Sequence, residues 1–323
     1  IRQMDSYLAA WHDNPGVRAV AVYGSGDKAF CAGGDVRAVW QSARDRGDLP
    51  QCFFAEEYTV NRRIRRFSKP YLALIDGATM GGGVGISVHG SHRVAGDRTQ
   101  VAMPETGIGF FPDVGTTYVL ARLPGEIGTY MALTGARLGP ADAVYAGLAT
   151  HYVPSDALLT IPDSLVAVSN ERDMRAAIDS AIAARAQDPG PAPLADLRAR
   201  IDACFGKDSV EGILDALERD GSDWAQRTRA TLDRMSPTSL KLTFAALRRS
   251  AEQDFDTCLK TEYRLSQGCM AGHDFHEGIR AVLVDKDKAP KWSPARVADV
   301  DEATIDGYFD PIGARELTFD TEE

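Results

Sequence analysis

Two carboxylates stand in a markedly apolar stretch of the sequence, at Glu105 and Asp113 within residues 104–115. Their neighbours are mainly Pro, Phe, Ile, Val and Gly, which offer a carboxylate little hydration. Carboxylates in such surroundings have raised pKa values and suit the roles of acid, base or nucleophile. The alternative is a surface Glu together with an Asp113 that caps a helix beginning near Val114. The stretch therefore predicts a reactive carboxylate pair and leaves the capping role of Asp113 open.

Two glycine-rich segments offer backbone N–H groups to a ligand. Residues 30–35 include Gly34 after a predicted strand, and residues 80–85 include Gly82 at a predicted helix start. Small residues let a ligand approach the backbone, and the first N–H groups of a helix have no intrahelical acceptor. Each segment alone is compatible with an ordinary turn or close packing, and the Gly-Lys-Ser/Thr signature of a phosphate loop is absent. Together they predict an oxyanion hole with donors from Gly34 and Gly82.

Alternating strands and helices position these segments in the first half of the chain. Apolar runs closed by turn residues predict strands at residues 17–23, 71–75, 93–95 and 99–103. Residues 53–67 have helical periodicity and end before Pro70. Such alternation predicts an α/β architecture.

Helical periodicity dominates from about residue 157 onward. Amphipathic helices are predicted at residues 170–187, 195–205, 210–219, 224–235, 239–251, 256–270 and 275–284. The sequence therefore predicts two regions, an α/β catalytic core over residues 1–160 and a helical C-terminal region over residues 161–323.

Composition narrows the classes of function. The formal net charge is -10, which argues against a protein whose main partner is nucleic acid. No apolar run reaches the roughly 18 residues of a membrane helix. The histidines lack metal-binding spacings, and the five cysteines lack paired spacings, so we expect no metal and reduced thiols.

The glycine and carboxylate segments together resemble the enoyl-CoA hydratase/isomerase (crotonase) family, which stacks ββα turns into a spiral and binds acyl-CoA thioesters. The three motifs occur in the family's order and spacing from Phe30 to Gly115. The resemblance implies a crotonase-like ββα spiral core followed by a helical C-terminal region. It also implies that Gly34 and Gly82 bind the thioester oxygen. The family's first strands are expected upstream of Ile1, together with part of the adenine-side pocket.

Departures from the family pattern select one branch. Hydratases of the family carry a catalytic Glu where this chain has Gly85, and dienoyl-CoA isomerases carry an Asp there. The branch that hydrolyses short branched β-hydroxyacyl-CoA thioesters, in valine breakdown, has no such mismatch. This chain resembles it at residues 53–58, 82–90, 104–115, 262–266, 272–278 and 285–292.

This second resemblance implies individual roles. Glu105 and Asp113 become the catalytic carboxylates, and Glu57 and Gly82 contact the substrate. Glu57 lies on a predicted helix rich in arginine, which by itself is typical of a solvated face. Arg37 stands where related enzymes often have a basic residue near the CoA phosphates, although a lone Arg is usually a surface charge.

The expected reaction is hydrolysis of a short β-hydroxyacyl-CoA to the free acid and CoA. No cofactor is expected, since coenzyme A is part of the substrate, and no nucleic-acid or membrane partner is expected; a homo-oligomer stays open. The rivals are an enoyl-CoA hydratase or isomerase and a catalytically silent acyl-CoA-binding protein. We expect a cytoplasmic location for a bacterial chain and the mitochondrial matrix for a eukaryotic one. His273 and His276 are interpreted as structural residues of a helical tail away from the three motifs.

Overall fold

The computed structural model describes residues 1–319, in which strands and helices alternate as far as Tyr152 and helices predominate afterwards. The strands are β1 (Val20–Tyr23), β2 (Ala29–Cys31), β3 (Tyr71–Ile75), β4 (Ala78–Met80), β5 (His92–Ala95), β6 (Gln100–Ala102) and β7 (His151–Tyr152). The helices of the first part are α1 (Arg2–His12), α2 (Val36–Arg44), α3 (Leu49–Arg66), α4 (Gly82–Val88), α5 (Thr116–Leu120), α6 (Ile127–Thr134) and α7 (Pro140–Tyr145).

The later helices are α8 (Ser155–Leu158), α9 (Ile161–Ala167), α10 (Met174–Ala183), α11 (Pro193–Phe205), α12 (Val210–Asp220), α13 (Asp223–Leu232), α14 (Pro237–Ser250), α15 (Phe255–Ala271), α16 (His273–Ile279) and α17 (Glu302–Gly307). A 3₁₀ turn covers Glu105–Ile108, and a π-helical turn, Arg280–Val284, continues α16. None of the helices described in residues 1–319 is both long and apolar enough to cross a membrane.

Two parallel sheets are built from successive strand pairs. The strand order is β1-β3-β5-β7 in the first sheet and β2-β4-β6 in the second. Each pair β1-β2, β3-β4 and β5-β6 thus gives one strand to each sheet, and helical segments follow it. The predicted α/β architecture, a spiral of ββα turns followed by helices, is confirmed, although no repeat is visible in the sequence.

Strand β3 lies at the centre of the first sheet, between β1 and β5. All five of its residues are buried, as expected for a parallel strand covered on both faces. Its predicted bounds are confirmed. The three-residue strands β2 and β4 lie beside the glycine segments and have too few residues to show a periodic pattern.

The helices after β7 pack on the rest of the chain in two places. Ile178 and Ile182 of α10 join Leu72 and Val94 of the first sheet in one apolar cluster. A larger apolar cluster runs from Val39 to Leu317, and it includes residues of α3 and α15. The division into residues 1–160 and 161–323 stays a prediction.

Helix α16 fits closely against the 3₁₀ turn that carries Glu105. A β-carbon at Gly278 would lie 2.4 Å from the backbone carbonyl carbon and oxygen of Ile108. At Gly109, where φ is +73°, a β-carbon would lie 2.1 Å from the carbonyl oxygen of Asp274. The tail is therefore in contact with one of the three motifs, so its predicted separation from them is wrong.

We expect Gly278→Ala to destabilise the protein by about 1–3 kcal/mol, because two backbone segments would have to separate. The matched control is Gly307→Ala, since a β-carbon at Gly307 would meet nothing within 4 Å. Urea unfolding of both variants measures the difference. Equal midpoints for the two variants would contradict this account of the contact.

Candidate active site

Two glycine turns bring the predicted N–H donors side by side. Each donor follows a glycine with a positive φ that other residues rarely adopt, +101° at Gly33 and +51° at Gly81. A β-carbon at Gly33 would lie 3.6 Å from the Gly82 nitrogen, and one at Gly82 would lie 3.6 Å from the Gly34 nitrogen. The two N–H groups therefore lie close together, as an oxyanion hole requires.

Both donor groups are free to bind a ligand oxygen. Gly82 is the first residue of α4, where the N–H has no acceptor within the helix. Within residues 1–319, no backbone or side-chain acceptor is recorded for the N–H of Gly34 or of Gly82. The Phe53 ring lies against Gly34, because a β-carbon there would lie 2.5 Å from Phe53 Cζ.

Glu57 and Glu105 flank the paired glycine turns. Oε1 of Glu57 would lie 2.5 Å from a β-carbon at Gly82, and Oε1 of Glu105 would lie 3.0 Å from one at Gly81. Helix α3 carries Glu57, and the 3₁₀ turn carries Glu105 at its first residue. The structure therefore brings a carboxyl group to each of two consecutive residues of the turn that begins α4.

Asp113 is hydrogen-bonded to Tyr58, the residue that follows Glu57 on α3. The Tyr58 hydroxyl donates a hydrogen bond of 2.7 Å to Oδ2 of Asp113, and both side chains are buried. Helix α5 begins at Thr116, and its N-cap Gly115 makes no side-chain cap. The alternative in which Asp113 caps this helix is therefore wrong. Helical spacing places Tyr58 on the buried face with Phe54, but no local signal pairs it with Asp113.

The three acidic residues Glu57, Glu105 and Asp113 are only 6%, 7% and 5% exposed. Burial raises the pKa of all three, and the charge of Asp113 further raises the pKa values of Glu57 and Glu105. The Tyr58 hydrogen bond opposes the shift at Asp113 by lowering its pKa. The cluster therefore retains protons at pH values where exposed carboxyl groups are ionised, which suits acid–base or nucleophilic chemistry.

Glu262 of α15 holds the turn that follows Asp113. Its carboxyl oxygens accept hydrogen bonds from the Gly115 N–H at 2.6 Å, the Thr117 N–H at 3.1 Å and the Thr117 hydroxyl at 2.6 Å. The N–H groups at the start of α5 thus obtain acceptors from a helix about 145 residues away in sequence. Glu262 lies in a segment that carried the family resemblance, but nothing in the sequence assigned it this role.

The same turn is held from the other side by His89. Val114 has φ +56°, which is unusual for a β-branched residue, and its carbonyl oxygen lies 2.7 Å from His89 Nε2. Burial lowers the pKa of His89 to about 4, so the ring is neutral near pH 7 and donates its Nε2 proton to the carbonyl. His89 and Glu262 together keep a strained turn in place beside Asp113.

The space beside Gly85 is occupied. A β-carbon there would lie 2.6 Å from Cβ of Val114 and 2.9 Å from Nδ2 of Asn61. A glutamate at this position, as in the hydratases, would therefore collide with two neighbouring side chains.

The remaining predicted residues lie outside this cluster. Arg37 is exposed on α2, and its contact with a CoA phosphate stays a prediction. His273 is half-exposed and lies 3.0 Å from the Asp274 carboxylate. His276 makes a 3.0 Å hydrogen bond with the Met270 carbonyl. Within the part of the chain that the structure describes, no group of three or more His, Cys, Asp or Glu side chains is arranged to hold a metal ion.

The arrangement offers two N–H donors for a carbonyl oxygen and carboxyl groups that can attack or deprotonate beside it. Donors fixed in this way stabilise the negative charge that develops on a carbonyl oxygen during acyl transfer. The site geometry is therefore that of an acyl-transfer or acyl-activation centre.

Comparisons with known proteins agree with this geometry. The sequence model of the enoyl-CoA hydratase/isomerase family matches residues 1–309. The chain is 47% identical over 321 residues to the mitochondrial 3-hydroxyisobutyryl-CoA hydrolase of Xenopus laevis, covering 98% of this chain and 83% of that protein. It is 42% identical over 322 residues to the Homo sapiens protein of the same name, covering 99% of this chain and 83% of the human protein.

Solved structures show the same fold under other names. A carnitinyl-CoA dehydratase from Mycobacterium thermoresistibile superposes with a TM-score of 0.91 at 43% identity, covering 99% of this chain and 91% of the other. An enoyl-CoA hydratase from Rhodobacter sphaeroides gives 0.89 at 36% identity, covering 98% and 91%. With its ββα spiral, its paired glycine turns and a family match over residues 1–309, the chain belongs to the enoyl-CoA hydratase/isomerase family.

Proposed function

We propose that the chain hydrolyses the thioester of 3-hydroxyisobutyryl-CoA, releasing CoA and the free hydroxy acid. The observation that carries the proposal is the arrangement around α4, where Glu57 and Glu105 flank the donors while Val114 and Asn61 fill the place beside Gly85. Hydration of a double bond by two glutamates needs a second carboxylate at that place. Acyl transfer needs only the donors and one attacking or deprotonating carboxylate.

The curated relatives support this choice of reaction. Proteins 42% to 47% identical to the chain carry the name 3-hydroxyisobutyryl-CoA hydrolase, whereas the similar solved structures carry dehydratase and hydratase names. The crowded surroundings of Gly85 favour the hydrolase. The relatives named here are also called mitochondrial, which supports a mitochondrial location for a eukaryotic chain; none of them supports a cytoplasmic one.

In the proposed reaction, the N–H groups of Gly34 and Gly82 bind the thioester carbonyl oxygen. The Glu105 carboxylate attacks the carbonyl carbon, and the carbon–sulfur bond breaks to release CoA as its thiolate, which takes up a proton. The product of this step is a mixed anhydride between Glu105 and the acyl group, and water then cleaves it to the acid and a free Glu105. Asp113 positions that water, and Glu57 binds the acyl group.

We expect the chain to release thiol from 3-hydroxyisobutyryl-CoA, and more weakly from 3-hydroxypropionyl-CoA. A thiol-trapping assay on a panel that includes crotonyl-CoA measures this directly. Glu105→Gln is the inactive control, because an amide neither attacks nor deprotonates efficiently. Efficient hydration of crotonyl-CoA without thiol release would contradict the proposal and favour the hydratase reading.

The pH profile of kcat/KM reports the ionisation of Glu105 in the free enzyme. Because the Glu105 pKa is raised, activity should decline on the acid side well above the ordinary glutamate value of about 4.3. The charge of Glu57 contributes to this rise, so Glu57→Gln should lower the Glu105 pKa and move the acid limb to lower pH.

Glu56→Gln is the matched control for the pH profile, because Glu56 is the preceding residue of α3 and pairs with Arg2 near solvent. Its acid limb should coincide with that of the unmodified chain. A limb that moves to higher pH in Glu57→Gln, or moves equally in both variants, would remove Glu57 from the electrostatics of the site.

Covalent attack by Glu105 can be separated from general-base attack by water. We expect hydroxylamine to form an adduct on Glu105 during turnover, and ¹⁸O from labelled water to accumulate in its carboxyl group over repeated turnovers. Peptide mass spectrometry locates both, with Glu105→Gln as the control. Normal product formation with neither adduct nor label on Glu105 or Asp113 would assign the general-base route instead.

A further inference from the structure

Asn61 is a completely buried amide beside the proposed site. It is 0% exposed, and neither Nδ2 nor Oδ1 has a hydrogen-bond partner among the described residues. A primary amide has two donor hydrogens and an acceptor oxygen with two lone pairs, and all of this capacity is unused. Burying such a group without partners costs about 1–3 kcal/mol or more. An unused buried amide therefore indicates a partner that is not part of residues 1–319.

The position of the amide relates it to the reacting atoms. Asn61 follows Glu57 by one turn of α3, so the two side chains share a face of that helix. Both side chains contact glycines of α4: Glu57 lies against Gly82, and Asn61 lies against Gly85, three residues farther along. The amide thus lies about one helical turn, roughly 5–6 Å, beyond the carboxyl group that flanks the oxyanion donor.

A second unpartnered polar atom borders the same short helix. Oε2 of Glu105 is buried and has no hydrogen-bond partner in the described part of the chain, and Oε1 of this residue faces Gly81. Unpartnered polar atoms therefore lie at both ends of the glycine face of α4, with the oxyanion donor Gly82 between them. A substrate whose carbonyl oxygen binds at Gly82 would have Glu105 on one side and Asn61 on the other.

We propose that Asn61 determines specificity by binding the β-hydroxyl group of the acyl chain. The amide donates an N–H to the hydroxyl oxygen and accepts the hydroxyl proton at Oδ1, which matches a group that both donates and accepts. This inference rests on the proposed function, because it assumes that the carbonyl oxygen binds between Gly34 and Gly82. Water has the same hydroxyl chemistry, so the test must separate the two sources.

The experiment compares 3-hydroxypropionyl-CoA with propionyl-CoA, which differ only in the β-hydroxyl group. For the unmodified chain and Asn61→Leu, kcat/KM is measured on both. Leu keeps the side-chain volume but removes the hydrogen-bond donor and acceptor. The preference for the hydroxylated substrate should therefore fall at least about tenfold, mainly because kcat/KM for that substrate falls. A bound water would be used with both substrates, and its loss would lower both values in parallel.

Thr243→Val is the matched control, because Thr243 of α14 is also buried with an unpartnered hydroxyl and is assigned no part in the site. It should leave the substrate preference unchanged. Circular dichroism checks folding of each variant, and Asn61→Ala takes the place of Asn61→Leu if the leucine is not tolerated.

The outcomes separate this inference from the proposed function. A tenfold loss of preference in the Asn61 variant alone supports the role of the amide. Retained preference, or a parallel loss on both substrates, overturns that role while leaving hydrolysis of the hydroxyacyl thioester intact. An unmodified chain that releases no thiol from either substrate or from 3-hydroxyisobutyryl-CoA overturns both proposals.

Discussion

The close approach of two backbone turns is the constraint on which the site depends. The turn after β2 and the turn after β4 come so near each other that a β-carbon at Gly83 would lie 2.0 Å from the Cys31 carbonyl oxygen. Only a glycine at position 83 allows this contact, which brings the turn of Gly82 close to that of Gly34. The parallel pairing of β2 with β4 supplies the matching geometry, since both strands deliver their turns to the same edge.

The carboxyl groups gathered at this edge have little to neutralise them. Among the described residues, the only side chain that donates to any of the three is Tyr58, which binds Asp113. Like charges in one enclosed space cannot all ionise, so part of the cluster stays protonated near neutral pH. The cluster therefore combines a reactive carboxylate with neutral carboxyl groups that can donate hydrogen bonds, a mixture that an exposed cluster does not maintain.

The sequence predicts the parts of this structure that depend on local pattern. The buried strand β3, the long helices from α10 to α15 and the oxyanion glycines all have signals in residue type or spacing. The very short strands β2 and β4 and the short helices α5–α9 have no such signal, because three to eight residues hold too few periods to establish a pattern. Their placement depends on contacts with segments distant in sequence.

Within the site, too, local pattern predicts some residues, whereas contacts between distant segments leave no signal in the sequence. Glu105, Asp113 and the glycines could be proposed from their apolar or glycine-rich neighbours, and Glu57 only from a family resemblance. The pairing of Tyr58 with Asp113 spans 55 residues and that of Glu262 with Gly115 spans 147, so neither has a local trace. The unused amide of Asn61 is likewise a property of its surroundings and not of its position in α3.

The anchoring of the Asp113 turn by Glu262 bears on how the protein matures during synthesis. Translation delivers both glycine turns and the catalytic carboxylates in the first third or so of the chain, but the acceptor for the Gly115 and Thr117 N–H groups belongs to α15. A nascent chain on the ribosome that has not yet released α15 can hold this turn only through the contact of His89 with the Val114 carbonyl. Full anchoring is therefore acquired late, and a polypeptide truncated before Glu262 retains the reactive groups but loses the acceptor for the Gly115 and Thr117 N–H groups.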